Sequence, residues 1–426
     1  MNSVYERLLK INSKKDAYDI LKDYYYETSM TIKKSARFSI LILNTPCNGF
    51  GDVVFAMKLY NYLVKWYPNA SVKIATPKVD NFLSLGQDPK VLYFLNAGKL
   101  DQCRRFQYLK FQNLNRENIE VPIVDLILVA PLQADFKPNI SDVKKIIPYA
   151  NEINTLTFSE YNDKLGKDFD FNTGIGEGRD GLLFTFPERI GAKLPSLKNP
   201  YAVIYIHDLD NSQSCFMSFI ELLTRKYVKK HKKLDVVLPL WISELILTDK
   251  SFQKKLLKVA GDYGNIKLKI KDELILIRNE QSKNILTFRA DILPLQNKDM
   301  LRLYKYSVSD ILVTGDQSIT DVLSCCWKSK IPHYQIVSWK SDFAKKLAKY
   351  LPDKYIGNIK TSCGTLKAIT YKPNFKNFME TWDFRKRAKD KLDSYIALAL
   401  DAEDKSSDIV NIVVESRSYG QIIKKI

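Results

Sequence analysis

Short, mostly apolar runs alternate along most of the chain with longer stretches in which apolar positions recur every third or fourth residue. Ile40–Leu43, Val72–Ala75, Val91–Leu95 and Val124–Ala130 read as buried strands. Between them, Val53–Trp66, closed by Pro68, and a weaker Val79–Leu85 read as helices. After Asn172–Leu197, a Gly/Pro-punctuated stretch that marks a change of domain, the alternation resumes. Strands are predicted at Tyr201–His207, Val236–Pro239, Ile266–Ile270, Ile311–Thr314 and Tyr334–Ile336. Helices are predicted at Cys215–Lys230, Lys250–Ala260, Lys298–Tyr304, Ile319–Cys326 and Phe343–Tyr350. This order is that of βαβ units built on largely parallel sheets.

The ends of the chain break the pattern. Residues 1–37 read as a helical extension, with Leu8, Leu9, Ile11, Tyr18, Leu21, Tyr24 and Tyr25 at roughly helical spacing. Phe375–Leu400 reads as one long helix, followed by a polar break at Asp401–Asp408 and a final strand or helix. The expected architecture is therefore α/β, two Rossmann-like lobes with a cleft between them, plus a helical N-terminal extension and a C-terminal helix. The expected divisions are 1–37, an acceptor domain 38–190, a donor domain 191–372, and a terminal helix and tail 373–426.

Composition supports a globular protein: 45% of the 426 residues are hydrophobic and 12% aromatic. No apolar run reaches the roughly 18–20 residues that span a bilayer. The nearest, Ile119–Leu132, is interrupted by Glu120, Pro122, Asp125 and Pro131. The charged amino terminus lacks the apolar core of a signal peptide. A cytoplasmic protein is expected, with peripheral membrane contact left open. The cysteines (Cys47, Cys103, Cys215, Cys325, Cys326, Cys363) form no CxxC pair and the histidines are His207, His231 and His333. Neither a structural metal site nor a disulfide framework is expected, and Cys325-Cys326 reads as part of a buried helix. The net charge of +18 attracts polyanions. Its densest cluster, Arg225 to Lys233, can also be read as a solvated helix end whose cations suit the helix dipole.

Two strand-to-helix loops carry the candidate chemistry. The first runs Asn44-Thr45-Pro46-Cys47-Asn48-Gly49-Phe50-Gly51-Asp52. Its glycines let backbone N–H groups approach an anion or a sugar, with Asn48, Gly49 and Gly51 on the acceptor side and Asp52 at the helix start. A plain capping role for Asp52 is the alternative. The loop is neither a P-loop nor a GxGxxG fingerprint. The second runs Thr314-Gly315-Asp316-Gln317-Ser318-Ile319-Thr320-Asp321. Here Gly315 permits the turn, Gln317, Ser318 and Thr320 offer polar groups at a helix start, and Asp316 and Asp321 can accept from sugar hydroxyls; helix capping is again the alternative. A third stretch, Gly174 to Gly181, places Arg179 among glycines, either to meet a phosphate or as an interdomain hinge. His207 ends a strand and faces either a ligand or the protein.

The order of these loops resembles GT-B glycosyltransferases, and most closely the ADP-heptose–lipopolysaccharide heptosyltransferase group. That group's Gly-Asp pair before a helix is matched by Gly51-Asp52 and the run to Pro68-Asn69-Ala70. Its Asp-Thr-Gly-x-x-His pattern aligns with Asp316 to Asp321, and LPLQNKDMLRLYKYSVSDILVTGD looks like the helix and strand leading into it. The likeness runs over Phe38 to Pro352 in architecture, with the helix at Phe375–Leu400 matching the family's terminal helix, but it is specific only in the two loops. It implies Asp52 as general base and Asp316 as a donor-sugar contact. Two features depart from the family: Asp321 replaces the histidine, and Asp208–Ser214 lacks the expected lysine. Phosphate stabilisation would then fall to Arg179, Arg289 or Lys340.

The leading expectation is a metal-independent glycosyltransferase without a cofactor, moving a sugar from a nucleotide sugar to an acceptor hydroxyl on a glycan, protein or nucleic acid. Two alternatives stand beside it. One is a nucleic-acid glycosyltransferase using the basic surface. The other is a non-catalytic GT-B-like binding protein, which the missing histidine and lysine favour.

Overall fold

The computed structural model describes residues 37–46, 50–96, 109–133, 135, 137–163, 169–186, 189–209, 211–280, 282–326, 328–351, 356–369 and 375–403. The expected extension before Arg37, residues Asn48 and Gly49, and the final segment lie outside them. The chain divides into two compact units, each an α/β assembly with a parallel-rich sheet.

The first unit holds strands β1 (Ser39–Leu43), β2 (Ser71–Thr76), β3 (Leu92–Asn96), β4 (Lys110–Gln112), β5 (Leu126–Leu132) and β6 (Thr155–Ser159), ordered β4-β3-β2-β1-β5-β6. All neighbours are parallel except β3 and β4. Ile40, Leu41, Ile42 and Leu43 are fully buried, as a central strand covered on both faces requires. Helix α1 (Gly51–Trp66) buries Val53, Phe55, Ala56, Leu59, Tyr62 and Leu63, one stripe at helical spacing. Each of the Val, Leu and Phe side chains contributes about 1.5–3 kcal/mol when taken from water. Helices α2 (Val79–Ser84) and α3 (Ile140–Lys144) complete this part.

The second unit runs from Phe184 to Thr381, with Ser84–Gly86 counted in it. The chain thus leaves the first unit between Leu183 and Phe184, inside the Gly/Pro-punctuated stretch. Its strands are β7 (Tyr201–Tyr205), β8 (Lys233–Val237), β9 (Asn265–Ile270), β10 (Glu273–Asn279), β11 (Ile285–Arg289), β12 (Asp310–Thr314), β13 (Ile331–Gln335), β14 (Ile356–Lys360) and β15 (Thr365–Ile369). They are ordered β10-β9-β11-β8-β7-β12-β13-β15-β14, with antiparallel strands at both margins. Its helices are α4 (Ser212–Tyr227), α5 (Leu240–Thr248), α6 (Lys250–Val259), α7 (Asn297–Tyr306), α8 (Asp316–Cys326) and α9 (Ser341–Tyr350). Phe216, Phe219, Ile220 and Leu223 of α4 pack with Leu234, Val236, Leu286 and Phe288 of the sheet in one core.

At the amino end of β12 lies a buried charge network. Burial alone would raise the pKa of Asp310, but bonds from His333, Lys226 and Tyr227 hold its carboxyl well below the usual range. Nearby, Lys330 donates to the carbonyls of Ser307 and Val308, and burial pushes its amine down to about 8.

The single long helix expected over Phe375–Leu400 is instead three: α10 (Phe375–Trp382), α11 (Phe384–Arg387) and α12 (Lys389–Glu403). The break has a clear cause. Leu182 N–H donates to the Trp382 carbonyl at 2.7 Å, and Phe384 N–H to the Leu182 carbonyl at 3.0 Å. These strand-like bonds extend the backbone at Asp383, whose carboxylate then caps α11 by accepting from Arg385 N–H. From Trp382 onward the described chain belongs to the first unit. There Phe384 packs among Tyr62, Trp66, Phe158 and Phe171, and the Tyr67 hydroxyl donates to Asp393, which Lys389 also pairs.

Candidate functional site

In an open α/β sheet, ligands bind beyond the carboxyl ends of the strands, where successive connections diverge to opposite sides. In the second unit that point lies between β7 and β12: from β7 the chain moves toward β8, and from β12 toward β13. The loops that leave these two strands carry His207 and the Gly315–Gln317 turn.

Gly315 holds φ at +74° with open space where a Cβ would stand, so the turn demands glycine for conformation rather than room. Asp316 opens α8. Its Oδ1 accepts from the Gln317 N–H at 2.8 Å, and its Oδ2 lies 2.7 Å from Lys340 Nζ. Lys340 ends a single turn, Ser338–Lys340, just after β13. Both side chains of this pair are about nine-tenths buried, at 9% and 11% exposure.

Gln335, the last residue of β13, knits the site together. Its Oε1 accepts from His207 N–H, and its Nε2 donates to the His207 carbonyl, Asn211 Oδ1 and Ser212 Oγ. Ser212 Oγ in turn donates to the His207 carbonyl. The His207 backbone is thereby fixed, while the residue as a whole keeps an exposed surface. Desolvation lowers the imidazole's pKa, and the Asp316 carboxylate opposes that shift. Two buried polar atoms here have no hydrogen-bond partner, Gln317 Oε1 and Tyr334 hydroxyl. A buried polar group left unmatched costs on the order of 1–3 kcal/mol.

The rest of the second loop is engaged by the fold. Ser318 bonds the wholly buried Tyr304, whose pKa burial pushes well up. Thr320 Oγ1 donates to the Asp316 carbonyl, and Asp321 accepts from Thr185 Oγ1 at 2.6 Å. Arg289 is held by Asp291, Asp235 and the Ser196 carbonyl. Arg179 lies in the first unit, where it donates to the Asp163 carbonyl. Of the three cations named as phosphate partners, Lys340 is the one the fold brings to Asp316.

The first unit has its own divergence point between β1 and β5. Asn44, directly after β1, donates to the Asp52 and Ala130 carbonyls and accepts from Thr76 Oγ1. One amide thus ties the start of α1 to β5 and to the end of β2. Asp52 stands in the first turn of α1, half-buried, with Gly51 exposed before it. Phe50 precedes the helix and supplies no side-chain cap, so the carboxylate of Asp52 meets the positive end of the helix dipole.

Gln335, Tyr334 and Asn211 were not singled out from the sequence, and Asn44 only as the first residue of its loop. The sequence signal of Gln335 and Asn44 is a polar residue at, or just past, the carboxyl end of a strand, and that of Asn211 is an N-cap position before a helix. Among the described residues no His/Cys/Asp/Glu group suited to a metal ion occurs, and no helix is long and apolar enough to cross a membrane.

No family model and no curated protein matches the chain. Among solved structures it is similar to the E. coli heptosyltransferase WaaC with ADP, at 8% identity and a TM-score of 0.30, over 65% of this chain and 80% of that one.

Proposed function

We propose that the chain is a glycosyltransferase that takes its donor, a nucleotide sugar, at the carboxyl edge of the second unit's sheet. The observation that carries this reading is the Gly315–Gln317 turn at the sheet's divergence point, with Lys340 held against Asp316. First-turn N–H groups of α8 and the Lys340 ammonium are suited to a diphosphate. Asp316 is suited to the sugar hydroxyls.

Asp52 is assigned as the general base. It takes the acceptor hydroxyl's proton as that oxygen bonds to the anomeric carbon. The bond from that carbon to phosphate breaks, and the nucleoside diphosphate leaves with the electron pair, its growing charge met by Lys340 and backbone N–H groups. Asp321 and Arg179, occupied elsewhere in the fold, have no part in this assignment.

A thermal-shift screen of nucleoside diphosphates and nucleotide sugars tests the reading, because a specific ligand raises the melting temperature by mass action. At least one nucleotide should stabilise the protein, and Lys340→Met should abolish that response. Stabilisation that survives Lys340→Met unchanged would refute the assignment of the donor site.

A further inference from the structure

The parallel strands β11, β8, β7, β12 and β13 are neighbours in that order, so their amino ends share one edge of the second unit. At about 4.8 Å per strand this edge is roughly 19 Å long. Every connection entering it carries exposed lysine: Lys283 before β11, Lys230 and Lys232 before β8, Lys198 before β7, Lys305 before β12 and Lys328 before β13. The acids nearby are mostly committed, apart from the exposed Asp262, which precedes the adjoining parallel strand β9. Asp310 is buried against Lys226, His333 and Tyr227, and Glu280 pairs with Arg278. The result, from β11 to β13, is a predominantly positive row on the edge opposite the carboxyl ends that form the candidate site.

We propose that this edge docks on an anionic lipid surface. The row consists of ammonium groups, compact charges without the fork geometry that favours arginine in nucleic-acid recognition. Single-stranded nucleic acid would also call for stacking platforms among the cations. Of the aromatic rings here Tyr227 is buried and stacks on His231, which leaves the part-exposed Tyr306 as a single ring, not a row of platforms. A line of lysines on a sheet edge is suited to diffuse attraction by lipid headgroups, to which each lysine contributes additively and which salt screens. Docking by this edge leaves the carboxyl edge of the same sheet turned to water.

The test is co-sedimentation of the full chain with vesicles of phosphatidylcholine alone or mixed with phosphatidylglycerol. Binding should require phosphatidylglycerol and be released by high salt. The variant carrying Lys230→Glu, Lys232→Glu, Lys283→Glu and Lys305→Glu should lose on the order of tenfold or more in partitioning, and the matching Lys→Gln set should lose less. A control with Lys250→Glu, Lys254→Glu, Lys345→Glu and Lys349→Glu changes net charge equally on other helices and should keep most of the binding. Equal loss in the control would overturn the proposal. So would absence of vesicle binding, including the case in which the edge instead retains an oligonucleotide.

Discussion

Lys340 and Asp316 form a close ion pair, 2.7 Å apart and largely shielded from water, at the start of α8. Removing one partner strands the other, at about 3–5 kcal/mol. Lys340→Met should therefore lower the melting temperature clearly, and Asp316→Asn with Lys340→Met should recover much of the loss. Neither variant should bind nucleotide. Calorimetry with a nucleoside diphosphate separates the two effects: binding recovered by the double variant would show that Lys340 serves only stability.

Asp52→Asn should leave folding and the nucleotide thermal shift intact while lowering turnover by roughly 10²–10⁴. Single-turnover rates with an identified donor and acceptor are the measurement. Turnover near that of the parent protein would exclude Asp52 as the base.

Two glycines should respond differently to alanine. At Gly315 the added Cβ meets nothing, so the cost is backbone strain alone, about 1–2 kcal/mol. At Gly181, where φ is also positive, the Cβ would stand 2.6 Å from the Trp382 carbonyl oxygen and 2.9 Å from Phe384 N. Gly181→Ala should lose more, on the order of 3 kcal/mol, in urea unfolding. The reverse ranking would contradict this account.

Lys330 predicts a signature in alkali. Its folded pKa of about 8 lies below the free value of 10.5. Between those values the unfolded chain binds the extra proton, so this residue's contribution to stability rises with pH across that window. Below pH 8 the burial penalty is present in full. Relative to Lys330→Met, the parent protein should gain stability from pH 8 to pH 10, followed by denaturant midpoints. A flat difference would mean that the amine keeps its ordinary pKa in the fold.

The two α/β units and both strand-to-helix loops were legible because short, mostly apolar strands and striped helices have distinct periods. What stayed hidden has specific causes. Leu240–Thr248 is apolar almost throughout, so its helix shows no period. On β10, Leu274 and Leu276 are exposed, which inverts the usual sense of the pattern. The break at Asp383 arises from pairing with the distant Leu182, invisible to any local window. The role of Lys340 depends on a turn after β13 whose reach to Asp316 only the folded sheet sets. Asp321, by contrast, looked like part of the loop, and its bond to Thr185 comes from a segment far away in sequence.

The return of Phe384 and Asp393 to the first unit has a consequence for biosynthesis. A ribosome releases the aromatic neighbours Tyr62, Trp66, Phe158 and Phe171 long before the ring that packs among them. The intervening second unit can fold as it emerges, while the first waits with an incomplete apolar surface, a species prone to aggregation or capture by chaperones. A nascent chain stopped before Trp382 should therefore be protease-resistant in its later half and sensitive in its earlier half, the reverse of ordinary N-to-C vectorial folding.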